Sequence, residues 1–519
     1  MKLRLLLALL LAACSPSSPA APDATTGTDA GPTDAGPSGP DAARPMTDGS
    51  VTLPGTDAGP GSADAGGVDG GAVARDAGSA CPYFGRPAID STTPLPAASG
   101  RTESVRAGSF TDEYIYDATG GFKLGVRREW GSSVVFFGQA GSGPGTNGTN
   151  TIDANDTGRE VQIALYDPDR RLQGCAWNAS CGGGGGCPEQ IRYLGWNPVQ
   201  GGNRCNLGSP TDSVTTSAGG LVASTVPLQW NPDWEAHECS SDSCRGSGSR
   251  LPSDVRLTQT VRFVAPRIAE LHYVIENLSD LDHRPTGQEM PTMYTANGRG
   301  GPDLWRLMDP NGTQIPIDTP AGGDGFFYEN FTATGPWVSL QNDDLSYGVA
   351  ILYENGLSQF QGWQLRSLPF NNVRSRIVFG LPPHGTVQAR AYLLLGSFAT
   401  IQAEATSLLA TIPPFGWLDG PGETVSTGAV SIHGWALDNR GVVSVEARID
   451  ESVTVPLHYG DARPDVCRVW PGYPRCDGVG FSGSYDFGAP TSCPHLVEII
   501  ATDGDGNRRT IFERLVTVR

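Results

Sequence analysis

Between residues 81 and 411 apolar and polar positions alternate in short runs broken by Gly, Pro, Asn and Asp. A period of two predicts β-strands that bury one face. The clearest runs are Phe122 to Val126, Val161 to Tyr166, Leu257 to Val264, Ala269 to Glu276, Tyr347 to Tyr353 and Val387 to Leu395. Helical periodicity is confined to Ala403 to Leu409, so α/β architectures with crossover helices are not expected. Roughly 330 residues of antiparallel strands imply a large sandwich, a barrel or a propeller, and no repeat of blade length supports the propeller. A break at Ile412-Pro413-Pro414 marks a boundary. Beyond it Val443, Val445, Ala447 and Ile449 are expected inward and Ser444, Glu446, Arg448 and Asp450 outward. The expected fold class is all-β: a large antiparallel β-sandwich over 81–411, then a smaller β-sandwich over 412–519.

The first 80 residues carry neither pattern. Met1-Lys2-Leu3-Arg4, an apolar stretch from Leu5 to Leu11 and Leu11-Ala12-Ala13-Cys14 read as a lipoprotein signal over 1–13. The cationic start, the apolar core too short to span a bilayer and the small residues before the cut fit that reading. Cys14 would become the lipidated first residue, the competing reading being an ordinary signal peptide in which Cys14 is incidental. Residues 14–80 are almost entirely Ala, Asp, Gly, Pro, Ser and Thr, without an aromatic residue. Near-repeats such as Thr28-Asp29-Ala30-Gly31-Pro32 and Thr56-Asp57-Ala58-Gly59-Pro60 prevent helix and strand, predicting an acidic tether. As a random coil it reaches on the order of 45 Å.

Charge and cysteine usage narrow the classes of partner. The formal net charge is −19, and the part beyond the tether is itself acidic, which argues against nucleic acid and anionic lipid surfaces. Lys2 and Lys123 are the only lysines, so lysine-based catalysis has the single candidate Lys123. Eleven cysteines minus Cys14 leave an even ten in an exported chain, enough for five disulfides. Cys239 and Cys244 form a close pair, and Cys175, Cys181, Cys187 and Cys205 form a group whose connectivity the sequence leaves open. Gaps of four or more residues without a partnering His run favour disulfides over zinc, so no metal site is assigned. Asp503, Asp505 and Asn507 alternate as calcium ligands do, but the late bidentate Glu is missing and a tight turn is favoured. No cofactor is expected, structural calcium at that turn being the one exception the pattern admits.

Candidate chemistry lies in the larger domain. Asn155 to Glu160 and Leu194 to Asn203 read as loops flanking strands and offer Asp156, Arg159, Trp196, Asn197 and Gln200. Planar amides and guanidinium reach sugar hydroxyls and an indole face stacks on a pyranose, so these are the candidate substrate-binding residues. Trp230, Trp234, Trp305 and Trp363 are further stacking candidates, the competing reading for each being a cap on the β core. In Glu270 to Glu276, alternation sends Leu271, Tyr273 and Ile275 one way and Glu270, His272, Val274 and Glu276 the other. Together with His283 and Glu289 downstream, His272 and Glu276 are the candidate acid/base residues, against the plainer reading of a solvated strand face. His237, beside Cys239, reads as structural. No nucleophile elbow, HExxH or phosphate loop occurs, and Gly143, Gly145 and Gly148 imitate a dinucleotide fingerprint without the helix it requires.

Two resemblances add to this. Val430-Ser431-Ile432-His433-Gly434-Trp435-Ala436-Leu437-Asp438, Val442 to Asp450, Arg463 to Cys467, Gly480-Phe481 and Ala501 to Asn507 resemble a bacterial immunoglobulin-like domain. The resemblance implies a spacer or adhesion module. It also implies a local Cys467–Cys476 disulfide, which leaves Cys493 to another partner such as Cys81. The larger domain, with early Arg and Asn loops and a mid-domain His/Glu strand, is distantly similar to the galactose-mutarotase-like supersandwich, also used by polysaccharide lyases and glycosidases. That similarity implies proton handling by His272 or His283 with Glu276 or Glu289, and substrate contact by Arg159.

The expected protein is therefore anchored to the membrane through lipid on Cys14, in the outer membrane or at the cell surface, since Ser15 is unlike an inner-membrane retention signal. Its partner is a glycan, bound or processed by a lyase or glycosidase activity. The alternative is a non-catalytic adhesin or structural envelope protein. The sequence leaves the oligomeric state open.

Overall fold

The computed structural model describes residues 81–83, 100–141, 148–154, 159–167, 194–196, 198–199, 208–228, 252–299, 301–316, 329–355, 358–365, 370–375, 377–470 and 472–519. Cys14, Asp156, Asn197, Gln200, Cys239, Cys244 and the side chain of Trp196 lie outside them. The fold is all-β, and among the described residues the strands form three sheets of eleven, eight and eight.

The first sheet opens with a meander of Thr102–Ala107, Phe110–Tyr116, Phe122–Arg127, Ser133–Gln139 and Val161–Asp167, each antiparallel to the last. It continues through His283–Tyr294, Phe370–Ser375, Gln359–Leu365 and Glu329–Thr332. Ile377–Leu381 pairs with the first half of His283–Tyr294. The second sheet runs Arg306–Met308, Trp337–Gln341, Gly348–Tyr353, Thr386–Gly396, Ile268–Asn277, Val255–Ala265, Gly220–Thr225 and Ser213–Ser217. Alternation explains why the two pack face to face. Ile163, Leu165, Met290, Met293 and Val373 of the first sheet and Leu257, Leu271, Tyr273 and Ile275 of the second are buried in one core.

The outer face of the second sheet is half apolar and half charged. The apolar half, with Ile268, Leu352 and Leu394, is covered by Phe398, Ile401 and Ala405 of the helix Phe398–Leu409. In the charged half Glu270 accepts hydrogen bonds from Arg262 at 2.8 Å and lies 3.2 Å from Arg390, which in turn lies 3.4 Å from Glu354.

The third sheet takes all its strands from Phe415 onward, and it curls until Trp417 of the first strand meets Phe512 of the last-but-one with ring centres 4.5 Å apart. Val445, Ala447 and Ile449 are buried as alternation predicts, but Val443 is exposed and Val442 buried instead. The ladder shifts between Val442 and Ser444, and such a bulge moves every earlier side chain to the opposite face. Cys467 bonds Cys476, the pairing that the resemblance implied, and Cys493 bonds Cys81, the partner suggested for it. Asp503 closes its turn by accepting the N–H groups of Asp505 and Asn507 at 2.9 and 2.8 Å.

Candidate functional site

Glu289 lies on His283–Tyr294 in the middle of the first sheet. The register shifts between Glu289, opposite Ala164, and Thr292, opposite Gln162, so that three residues on one strand span two on the other. This bulge puts Glu289 and Thr292 on the same outer face while Met290 and Met293 enter the core. Cross-strand register then aligns Gln162, Thr292, Arg374, Gln361 and Asn330 in one row, and Tyr294, Asn372 and Trp363 in the next.

The side chains form a continuous chain across five strands. Tyr166 donates to Glu289 Oε1 at 2.8 Å, and Arg374 Nη1 binds the same oxygen. Arg374 Nε donates to Gln361 Oε1 at 2.9 Å, and Gln361 Nε2 donates to Asn330 Oδ1 at 2.8 Å. In the neighbouring row Asn372 Nδ2 donates to Thr292 Oγ1 at 2.5 Å. At a strand spacing of about 4.8 Å the chain spans roughly 19 Å, the length of a short oligosaccharide.

Although it points away from the core, this face is no ordinary solvated surface. Glu289, Thr292, Asn372 and Trp363 are all buried, and Gln162 is only 3 % exposed. Burial lowers the pKa of the Arg374 guanidinium from its usual value, opposed by Tyr166. Gln162 Oε1 is buried and has no hydrogen-bond donor among the described residues, which makes it a demanding acceptor.

The four sequence candidates for acid/base work do not converge. His272 lies on the outer face of the second sheet, buried, 3.1 Å from Gln388. Burial first, and then the Arg390 charge, push its pKa down to about 4, so it is neutral at physiological pH. Glu276, on the same face, is half exposed, 3.6 Å from Arg256. His283 is buried at the start of its strand, 3.3 Å from Asp254. Only Glu289 belongs to the amide-lined face, and none of the described histidines joins it there. Arg159 is fully buried immediately ahead of Val161–Asp167.

Of the chain that surrounds Glu289, sequence reasoning singled out only Trp363. Tyr166, Gln162, Gln361, Asn372 and Arg374 lie on strands whose alternation is visible, but which of their faces meets Glu289 depends on cross-strand register that alternation does not encode.

No protein-family model matches the chain, and no curated protein matches its sequence. Among solved structures it is similar to a putative aldose 1-epimerase from Klebsiella pneumoniae, at 11% identity and TM-score 0.32, over 60% of this chain and 92% of that one. A putative aldose 1-epimerase from Escherichia coli K12 is similar at 10% identity and TM-score 0.31, over 57% and 99%. A polysaccharide lyase is similar at 8% identity and TM-score 0.27, over 75% of this chain and 44% of that one. Likeness of this degree fixes neither a family nor an activity for the chain.

Proposed function

We propose that the protein is a lipid-anchored envelope protein that binds a glycan on the outer face of its first sheet. The observation that carries the reading is the chain Tyr166, Glu289, Arg374, Gln361 and Asn330, flanked by the buried, unpartnered Gln162 Oε1. A sugar ring presents hydroxyls that both donate and accept in several directions, and amides fixed in a row answer them with matched geometry. Gln162 Oε1 would accept one such hydroxyl, and Trp363 offers an indole edge or face to the ring.

Binding is favoured over turnover by the state of Glu289. Its carboxylate already holds Tyr166 and Arg374, and a proton carrier for lysis or glycoside hydrolysis needs a second titratable partner across the substrate. Should turnover occur, Glu289 and Tyr166 are the pair positioned to take and return a proton. The anchor at Cys14 and the adhesion-module reading of residues 412–519 complete the proposal: the lipid holds the chain at the envelope and the tether presents the sandwich to the glycan.

The test is titration of the whole oxidised protein with a panel of bacterial, plant and algal polysaccharides by calorimetry, with mass spectrometry of the supernatant. Saturable binding that Gln162→Ala weakens about tenfold or more, without new oligosaccharides, is expected. Oligosaccharides bearing an unsaturated end, or water added across the bond, would make the protein a lyase or a glycosidase. Absence of binding to any glycan, or binding that Gln162→Ala leaves unchanged, removes the assignment of this face. Cys14→Ala should release the protein from the membrane fraction; retention would overturn the anchor.

A further inference from the structure

Lys123 is the single lysine of the folded part, and it leaves Phe122–Arg127 on the same outer face as Glu289, three strands nearer the edge of the first sheet. Leu124 and Val126 enter the core, so Lys123 and Gly125 face outward. The ammonium lies 4.6 Å from the ring centre of Tyr114, 4.9 Å from Phe136 and 5.9 Å from Tyr116. Gly125 makes this arrangement possible: a Cβ there would come within 2.5 Å of Tyr114 Cε1. On the far side of the cluster the Arg101 guanidinium stacks 3.5 Å from the ring centre of Tyr116.

The hydrogen-bonding inventory of this cluster is one-sided. Both nearby carboxylates are engaged: Glu103 by Tyr116 O–H at 2.5 Å and by Arg101 at 3.2 Å, and Asp112, whose charge also acts on Tyr114, by Arg127 at 2.8 Å. Lys123 is only 6 % exposed as a whole residue, and no hydrogen bond or ion pair joins its ammonium to the described residues, so the ammonium meets only ring faces and the solvent it still reaches. Tyr114, 1 % exposed, keeps a hydroxyl with no partner. Ring faces attract the ammonium, but they supply no acceptor oxygen for its N–H groups. Burial accordingly lowers the Lys123 pKa, with the Glu103 charge opposing it and Arg101 adding to it. What the cluster lacks is a carboxylate bound to the Lys123 ammonium itself, in a chain whose net charge is −19.

We infer that Lys123, Tyr114 and Arg101 form an oxyanion site that takes a carboxylate or sulfate group, three strands from Glu289 on the same sheet. In this site the ammonium and the phenol hydroxyl both donate to the oxyanion. The site stands on the Lys123 geometry alone, and it holds whether or not the amide-lined face binds a glycan.

The small number of lysines gives a direct readout. With 13C-labelled lysine the whole chain shows at most two side-chain signals, Lys2 and Lys123, and Lys123→Met identifies the second. Acetate, sulfate and glucuronate are titrated at constant ionic strength set with chloride. A saturable shift of the Lys123 signal is expected, with a rise in its titration midpoint when the site is full and a weaker shift in Tyr114→Phe. Saturation with acetate and sulfate marks a site for free oxyanions; saturation with glucuronate alone marks one for an acidic sugar, and either supports the inference. A shift that grows linearly, or that chloride reproduces, overturns it and leaves the cage as packing. Circular dichroism of Lys123→Met and Tyr114→Phe keeps loss of fold separate from loss of binding.

Discussion

Glu289 and Arg374 are the most interdependent pair of side chains in the first sheet. Both are largely buried, and Arg374 binds the Glu289 carboxylate that also accepts the Tyr166 hydroxyl. Removing one partner of such a pair strands a charge away from water, which costs about 3–5 kcal/mol. Arg374→Met should therefore lower stability to urea by that order, and Glu289→Gln added to it should recover part of the loss; equal losses in the single and double variants would contradict the pairing. Asp438 offers a pH-dependent counterpart. Burial, helped by the charges of Asp503 and Asp505, raises its pKa to about 6. An acid whose folded pKa lies above its unfolded value of about 3.9 weakens the fold once ionised, fully above pH 6 and not at all below about pH 4. Asp438→Asn should thus gain about 1–3 kcal/mol at pH 8 and nothing at pH 4, as read from melting curves across that range. At this scale the sequence shows residue types and little more. His272, Glu276, His283 and Glu289 stand within 18 residues of one another, but their two strands belong to different sheets, and a chain turn, invisible to alternation, separates them.

Elements were more legible than sites because a half-buried strand writes its burial directly into its composition. All six runs chosen from alternation are strands, and their bounds differ from the observed ones by a residue or two at most ends. Short strands such as Arg306–Met308 and Glu329–Thr332 carry too few residues to show a period, and they are held by their neighbours in the sheet. The helix is longer than the Ala403 to Leu409 run suggested, beginning at Phe398. Its first turn, Phe398-Ala399-Thr400-Ile401, is rich in residues that favour strands, and it forms because Phe398 and Ile401 have an apolar sheet to cover. Ser397 starts it, its hydroxyl accepting the N–H of Thr400 at 3.2 Å. Ser397→Ala should lose about 1 kcal/mol, seen as a lower melting temperature, whereas Ser397→Asp should hold it; an unchanged Ser397→Ala would mean that packing alone fixes the helix start.

On the scale of the whole molecule, the break at Ile412-Pro413-Pro414 divides the sequence but not the hydrophobic core. Phe415, Trp435, Val466, Trp470, Tyr473 and Val479 belong to the same buried cluster as the sandwich interior. Trp470 and Tyr473 sit in the loop closed by the Cys467–Cys476 disulfide, with ring centres 5.0 and 5.6 Å from Phe415. The backbone at Gly472 approaches Ser358, immediately ahead of Gln359–Leu365, the strand that carries Gln361 and Trp363. Polar contacts cross the same joint: Arg509 donates to Glu354 at 3.0 Å, Asn439 to the Leu409 carbonyl at 3.1 Å and Asn507 to the Ala410 carbonyl at 2.8 Å. A joint made of buried aromatic rings couples the stability of the parts it joins, because neither can unfold without exposing the other's surface. Trp470→Ala removes one of the two indoles of this joint, at a cost of about 3–5 kcal/mol. Calorimetry of the oxidised protein should show one transition at a lower temperature, with the signal of the sandwich moving together with that of the C-terminal sheet. Two separated transitions, the sandwich melting where it did before, would show that the C-terminal module unfolds alone and has no hold on the strand that bears Gln361.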